Sequence, residues 1–228
     1  MIYIGMDDTD NAQSRGTGHI ARAIAKILAV DFGLVGVVRH QLLFDPRIRY
    51  TAHNSSKSVI LDANGKVDLA DLAKRIGRLM LDDFQEGSDP GVCVARDVPE
   101  EVVQYGRRAQ QELITQDEAR ALAAKHDIPL LGLGGDEGGV IGALAAVGLA
   151  ASGNDGRFMM VGRLRELKGL LPVPAVLEAG IAAVETADGR PVTEGLVATD
   201  KMRPARRRGL PIAIVEWQED HWQPLKLN

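Results

Sequence analysis

The run GGVIGALAAVGLAASGN, from Gly138 to Asn154, carries no charge and consists almost wholly of Gly, Ala, Val, Leu and Ile. A membrane span needs roughly 20 consecutive apolar residues, and this run falls short. It is therefore expected to be a buried helix, from about Val140 to Ala150, inside a layered protein. The rest of the chain alternates apolar strands with amphipathic helices, which supplies such layers.

Met1 to Met6 reads as a buried strand. Ile20, Ile24, Ile27 and Leu28 recur at helical spacing and predict a helix from about Gly16 to Val30. Leu34 to Leu43 and Val59 to Leu61 are strands, and Leu69, Leu72, Ile76, Leu79 and Met80 mark a second helix. The QEGSDPG turn at 85–91 closes this β-α-β-β-α segment and is the expected domain boundary. Gly91 to Ala95 starts again as a strand. A capping box, Thr115-Gln116-Asp117-Glu118, opens a helix through Lys125. Strands at Pro129 to Leu133 and Phe158 to Val161 flank the uncharged helix. Beyond Pro172 the pattern weakens to short strands at Ile181 to Val184, Leu196-Val197 and Ile212 to Trp217, with ADGRP (187–191) a hairpin turn. The expected fold class is α/β (α+β) in two domains, residues 1–87 and 88–228, with 165–228 as a C-terminal β extension.

Composition narrows the function classes. One cysteine, Cys93, excludes an internal disulfide and any Cys-based zinc site. The five histidines show no metal-ligand spacing. Ile2-Tyr3-Ile4 is too short for a signal peptide, so the expected compartment is the cytoplasm, with no membrane partner. A net charge of −4 gives no general pull toward nucleic acid. The one basic run, Arg203 with Arg206 to Arg208, is a solvated face or, if RNA is bound, a source of phosphate contacts.

The chemistry concentrates at DDTD. Asp7, Asp8 and Asp10 surround Thr9 at the end of the first strand, and like charges resist such crowding. A polar turn is the plainer explanation of one aspartate. Three of them just before Arg15-Gly16-Thr17-Gly18 point to a cation site instead. Mg2+ binds through one or two carboxylates together with substrate phosphates. A glycine-rich helix start offers free N–H groups and a favourable dipole to an anion. Ligand crevices also form outside strand ends in open α/β sheets.

Three further stretches carry weaker signals. RHQLLFDPRIRYTAHNSS gathers Arg39, His40, Arg47, Arg49, His53 and Asn54, either as phosphate donors facing the acidic turn or as a solvated hairpin. Solvation is the better reading for Arg47 and Arg49. The loop from Gly132 to Gly139, with Gly134 and Gly135 at its centre, either binds an anion or second substrate or serves close packing; Gly142 is read as packing. His126 is read as a dipole partner at a helix C-terminus.

The stretch IGMDDTDNAQSRGTG resembles the opening of the agmatinylcytidine synthetase family, which modifies the wobble cytidine of archaeal isoleucine tRNA. Arg39 through Asn54, with Pro46 and HNSS, is similar to that family's arginine-proline-asparagine segment. LGLGGDEGGVIGALAAVG (131–148) is similar to its glycine-rich helix, and DPGVCV (89–94) to the strand opening its second domain. The resemblance covers about the first 160 residues. It implies a kinase-like ATP-binding domain followed by a ferredoxin-like domain. Asp7, Asp8 and Asp10 would hold Mg2+ on ATP phosphates, and Thr9, Arg15, Gly16, Gly18, Arg39, His53, Asn54, Gly134 and Gly135 would line the nucleotide. The implied activity is ATP- and Mg2+-dependent activation of an acceptor oxygen, with or without amine ligation, by a ligase or a kinase-like phosphotransferase.

Two departures shape the expectation. The family carries Cys-Thr-Thr, including a phosphorylated threonine, where this chain reads Thr17-Gly18-His19-Ile20, so Thr17 or His19 would have to replace the acceptor. The family also ends with an OB domain and a zinc ribbon, for which this sequence, with its length and one cysteine, is not expected to have room. The acceptor substrate is therefore expected to be a small molecule or a tRNA base. A nucleotide sensor that retained the pocket and lost catalysis is the alternative, and homo-oligomerisation is open.

Overall fold

The computed structural model describes residues 1–9, 11, 16–48 and 53–226. The chain forms two compact units, Met1–Ser152 and Gly153–Asn228. The turn at 85–91, expected as a domain boundary, lies inside the first unit. The strand after it pairs with the first strand of the chain, so the two expected domains share one sheet.

Unit 1 runs β1 (Ile2–Asp7), α1 (Thr17–Leu28), β2 (Gly33–Gln41), β3 (Ser55–Asp62), α2 (Leu69–Leu81), β4 (Gly91–Ala95), α3 (Glu100–Ala109), α4 (Gln116–Lys125), β5 (Leu130–Gly132) and α5 (Gly139–Ala151). The sheet order is β5-β4-β1-β3-β2, and every pair in it is antiparallel. β1 is central because both its faces are apolar or small: Ile2, Ile4 and Met6 are fully buried on one face, and Tyr3 and Gly5 lie on the other. α1 and α2 cover the Ile4–Met6 face. α5 covers the Gly5 face, with α3 and α4 packed around it. The resulting mixed α/β architecture matches the fold class read from the sequence.

The uncharged helix is buried because glycine on both sides allows backbone contact. A Cβ at Gly5 would fall 1.9 Å from the Ala143 carbonyl oxygen, and one at Gly148 would fall 2.0 Å from that of Val102. α5 is thus seated on β1 below and wedged against α3 above. Thr115 caps α4 as the capping box predicts, its Oγ1 accepting from the Glu118 N–H at 3.2 Å. α3 was not anticipated, since its charged residues mask a stripe of Val102, Val103, Gly106 and Ala109. Its signals are local: Pro99 at the N-cap, Glu100 and Glu101 in the first turn, Arg107 and Arg108 in the last.

Unit 2 is built from β6 (Arg157–Met160), a 3-10 turn (Leu164–Glu166), β7 (Leu170–Pro172), α6 (Val173–Glu178), β8 (Ala183–Thr186), β9 (Leu196–Ala198), β10 (Ala205–Arg207), β11 (Leu210–Gln218) and β12 (His221–Pro224). Its strands follow the order β6-β10-β11-β12-β9-β7, and β8 runs parallel to β11. ADGRP forms the expected tight turn: the Thr186 N–H donates to the Arg190 carbonyl and the Gly189 N–H to that of Thr186, both at 2.9 Å. Among the described residues, no helix is long and apolar enough to cross a membrane.

Candidate functional site

The acidic turn leaves β1 at its last paired residue, Asp7, which stands opposite Gly91 of β4. Asp8 then takes a left-handed backbone (φ 51°), a conformation that aspartate tolerates better than most residues. Thr9 follows, buried at 2% exposure, and its N–H donates to Thr17 Oγ1 at 3.4 Å. Thr17 is the first residue of α1, so this contact ties the turn to the helix start. Thr9 Oγ1 is itself buried without a hydrogen-bond partner.

Gly16 is the N-cap of α1 (φ 79°), and it offers no side-chain cap; the first turn also holds no acidic residue. Among the described residues no side chain caps this helix start, and the His19 N–H donates to the Gly16 carbonyl at 2.9 Å. Gly18 is buried and His19 half-buried in this first turn. Asp10 and Arg15, also expected here, lie outside the described residues. Among the described residues no group of three or more His, Cys, Asp or Glu side chains is placed to hold a metal ion.

A second helix start reaches the same strand end. A Cβ at Gly139 would lie 2.5 Å from the Asp89 carbonyl oxygen and 2.9 Å from that of Asp7. One at Gly142 would lie 1.8 Å from Asp7 Oδ2. Gly142, read as a packing residue, therefore makes room for the Asp7 carboxylate. The strand-end crevice rule belongs to parallel sheets, and this sheet is antiparallel. The site arises because α1 and α5 both begin at the C-terminal end of β1.

The remaining candidates separate by what they touch. In register across the sheet, Met6 pairs with Lys57, and Lys57 with Arg39. This row, one residue before Asp7, brings two cations onto the face covered by α1. Arg39 Nη2 donates to Gln41 Oε1 at 2.8 Å. Lys57 is buried, and its Nζ donates to Ser55 O at 2.5 Å and Ser55 Oγ at 3.0 Å. Sequence reasoning passed over Lys57; a lysine inside a β-branched strand segment was its only signal. Burying an ammonium is costly, so the position calls for a reason.

Asn54 is a brace, its Nδ2 donating to Leu43 O at 2.7 Å, and His53 is exposed. Arg47 pairs with Asp45 at 2.8 Å in the open, as a solvated hairpin would have it. Gly134 and Gly135 are held by their own chain. Asp89, buried, accepts from the Asp136 N–H at 2.8 Å, and a Cβ at Gly135 (φ 62°) would fall 1.8 Å from Asp89 Oδ1. Asp136 Oδ1 accepts from the Gly138 N–H at 2.8 Å, and Glu137 pairs with Arg120. The loop's acids are engaged internally, so packing accounts for it. Asp89 escaped notice as an ordinary turn residue in SDPG. His126 is the C-cap of α4, and its Nε2 lies 2.9 Å from Glu101 Oε2.

The Gly5 face of the sheet also holds buried polar groups. His40 Nε2 lies 2.8 Å from Ser58 Oγ, and the Tyr105 hydroxyl donates to the Ile141 carbonyl at 3.3 Å. Burial pushes the Tyr105 phenol well above its usual range, with the charge of Glu118 adding to the effect. Burial likewise pushes the Cys93 thiol far up, which makes it unreactive in the folded state.

No protein-family model matches the sequence, and no curated protein matches it. Solved structures do. A tRNA fluorescent labeling enzyme matches with a TM-score of 0.56 at 24% identity, covering 64% of this chain and 35% of that one. A TiaS–tRNA(Ile2)–ATP complex matches at 0.55 and 24%, covering 64% and 36%. Over that span the chain has the TiaS fold. Apo TiaS, a tRNAIle2 agmatidine synthetase, gives 0.53 and 24%, again over 64% of this chain and 35% of its own. The chain thus spans about a third of the length of the TiaS structures it matches.

Proposed function

We propose that unit 1 binds ATP with Mg2+ where β1 ends, and uses it to activate an acceptor oxygen. The observation that carries this reading is the tie between Thr9 and Thr17, which joins a carboxylate turn to an uncapped helix start. Asp7 and Asp8, with Asp10, would hold the cation, and the leading N–H groups of α1 would face the phosphates. The partnerless Thr9 Oγ1 and the row Lys57–Arg39 fit a ligand rich in phosphate oxygens. Phosphoryl transfer asks a protein mainly for positioning and charge neutralisation, and this donor set supplies both. The fold shared with TiaS, which is solved with tRNA(Ile2) and ATP, supports a nucleotide site and a tRNA-modifying chemistry. The acceptor is a tRNA base or a small molecule.

One observation favours a second reading, a nucleotide sensor. Thr17 stands where the agmatinylcytidine synthetase family has its phosphate-acceptor segment, but it is 2% exposed and its hydroxyl accepts from Thr9. A hydroxyl so engaged makes a poor acceptor.

Titration with ATP in the presence of Mg2+, followed by labelled-ATP turnover, separates the readings. The enzyme reading expects saturable, Mg2+-dependent binding and turnover, both reduced at least tenfold in Asp8→Asn, about 1.4 kcal/mol in binding. Binding without turnover selects the sensor. Absence of ATP binding defeats both.

A further inference from the structure

The basic run of unit 2 does not stay together in the fold. Arg208 pairs with Glu185 at 3.1 Å, and Arg206 is buried. β6 and β10 pair antiparallel, with Ala205 opposite Arg157. On either side of that pair, the Phe158 N–H donates to the Pro204 carbonyl at 2.7 Å and the Arg206 N–H to that of Gly156 at 2.9 Å. Side chains alternate across such a ribbon, so Phe158 and Arg206 share its buried face. Arg157 and Arg203 share the other face as diagonal neighbours, on the order of 7 Å apart.

Arg165, in the 3-10 turn Leu164–Glu166, adds a third guanidinium. Burial first, and then the charges of Arg165 and Arg157, hold the Arg203 guanidinium below its usual range. Burial lowers Arg157 as well. Arg203 Nη1 donates to the Met202 carbonyl at 2.9 Å, which anchors the group at one corner. Like charges gathered and partly desolvated are costly without an anion among them. Among the described residues, neither Arg165 nor Arg203 is in an ion pair. The acids of unit 2 are engaged elsewhere: Glu185 with Arg208, Asp188 with Arg190, and Asp200 Oδ2 with the Gly169 N–H at 3.0 Å.

The arrangement selects the class of anion. A guanidinium offers parallel N–H donors, and a carboxylate has one edge to accept such a pair. A terminal phosphate presents three oxygens and roughly two charges, so several guanidiniums can meet on it. A nucleic-acid backbone spreads single charges along a chain, and single strands are held by aromatic stacking as well. The residues that alternate onto this face beside the arginines are Met159 and Ala205, neither of them aromatic.

We propose that Arg157, Arg165 and Arg203 form a site for a dianionic phosphate group, free as pyrophosphate or inorganic phosphate or carried as a monoester on a small molecule. The site lies wholly within unit 2 and is independent of the nucleotide reading for unit 1.

Calorimetric titration of the full chain with pyrophosphate, in EDTA and at low ionic strength, tests the site. Repeating it in Asp8→Asn keeps the acidic turn out of the result. Saturable binding is expected in both, displaced by glycerol 2-phosphate or inorganic phosphate but not by acetate at matched ionic strength. Arg165→Gln and Arg203→Gln should each weaken it about tenfold. Arg190→Gln, at the exposed pair with Asp188, should leave it unchanged. Arg165 is exposed, so its variant should keep the melting temperature of the parent. Stronger competition by glycerol 2-phosphate than by phosphate assigns the group to an ester, and the reverse order to the free ion. No binding of pyrophosphate, equal competition by acetate, or unaltered affinity in both arginine variants overturns the proposal. Tighter binding of a short RNA without terminal phosphates than of pyrophosphate overturns it as well.

Discussion

Unit 1 holds two glycine-led helix starts at the same strand end, and they have opposite fates. α5 has no side-chain cap either, but backbone carbonyls meet its first N–H groups: Gly139 donates to Asp89 O at 2.8 Å, Val140 to Glu137 O at 3.1 Å and Ile141 to Gly138 O at 3.2 Å. Its positive end is already answered, and its glycines are there so that backbone can touch backbone. α1 begins on Gly16 with no side-chain cap and no acid in its first turn. This helix start, beside a carboxylate turn, is where the cation and phosphates are proposed to bind. Glycine richness alone does not distinguish the two. The backbone carbonyl that reaches the first turn of α5, that of Asp89, does.

Changes at α5 should cost stability, and the largest effect is expected at Gly139. A Cβ there would sit 2.5 Å from Asp89 O and 2.6 Å from Gly91 N, backbone atoms that cannot swing away. Gly139→Ala should destabilise unit 1 by about 3 kcal/mol, read by denaturant unfolding. Labelling of Cys93, fully buried in the fold, gives a second readout, since its thiol should react only on opening. Next comes Asp89→Ala, which orphans the Asp136 N–H and empties the space against Gly135. A loss of about 2 kcal/mol is expected by the same measurement. Mg2+–ATP affinity should fall far less than in Asp8→Asn, because the phosphates are assigned to α1. If Asp89→Ala loses nucleotide binding while remaining folded, the two helix starts are not functionally distinct.

The smallest effect is expected at the exposed Asp45–Arg47 pair. The Arg47 side chain, and then its backbone N–H, hold the Asp45 carboxyl down at about 2. A carboxylate lowered in the fold contributes stability above its ordinary range, and loses it as pH falls toward 2. In Arg47→Ala the NMR titration midpoint of Asp45 should move up toward the ordinary value of 3.8, with nucleotide affinity unchanged. A fall in affinity would return this hairpin to the site.

Strongly periodic or fully apolar segments were legible in the sequence. α1, α2, α4, α5 and the strands β1 to β6 lie close to where their residue patterns place them. α3 was missed because charge hides its stripe, and β7 and α6 because each is too short to show a period. A Gly-Pro turn such as 85–91 marks a change of direction, and here the next strand rejoins the same sheet beside β1. At the site, the acidic turn and Gly16 to Gly18 were visible as a motif. Lys57 and Asp89 were not, because their roles come from sheet register and from a loop 47 residues distant along the chain.

The central claim is that α1, and not α5, meets the nucleotide. Backbone amide hydrogen exchange with and without Mg2+–ATP tests it directly. Slowed exchange is predicted at Thr17, Gly18 and His19, with Gly139 to Ile141 unchanged. Slowing at Gly139 to Ile141 alone, or no change at either start while ATP binds, would contradict the account.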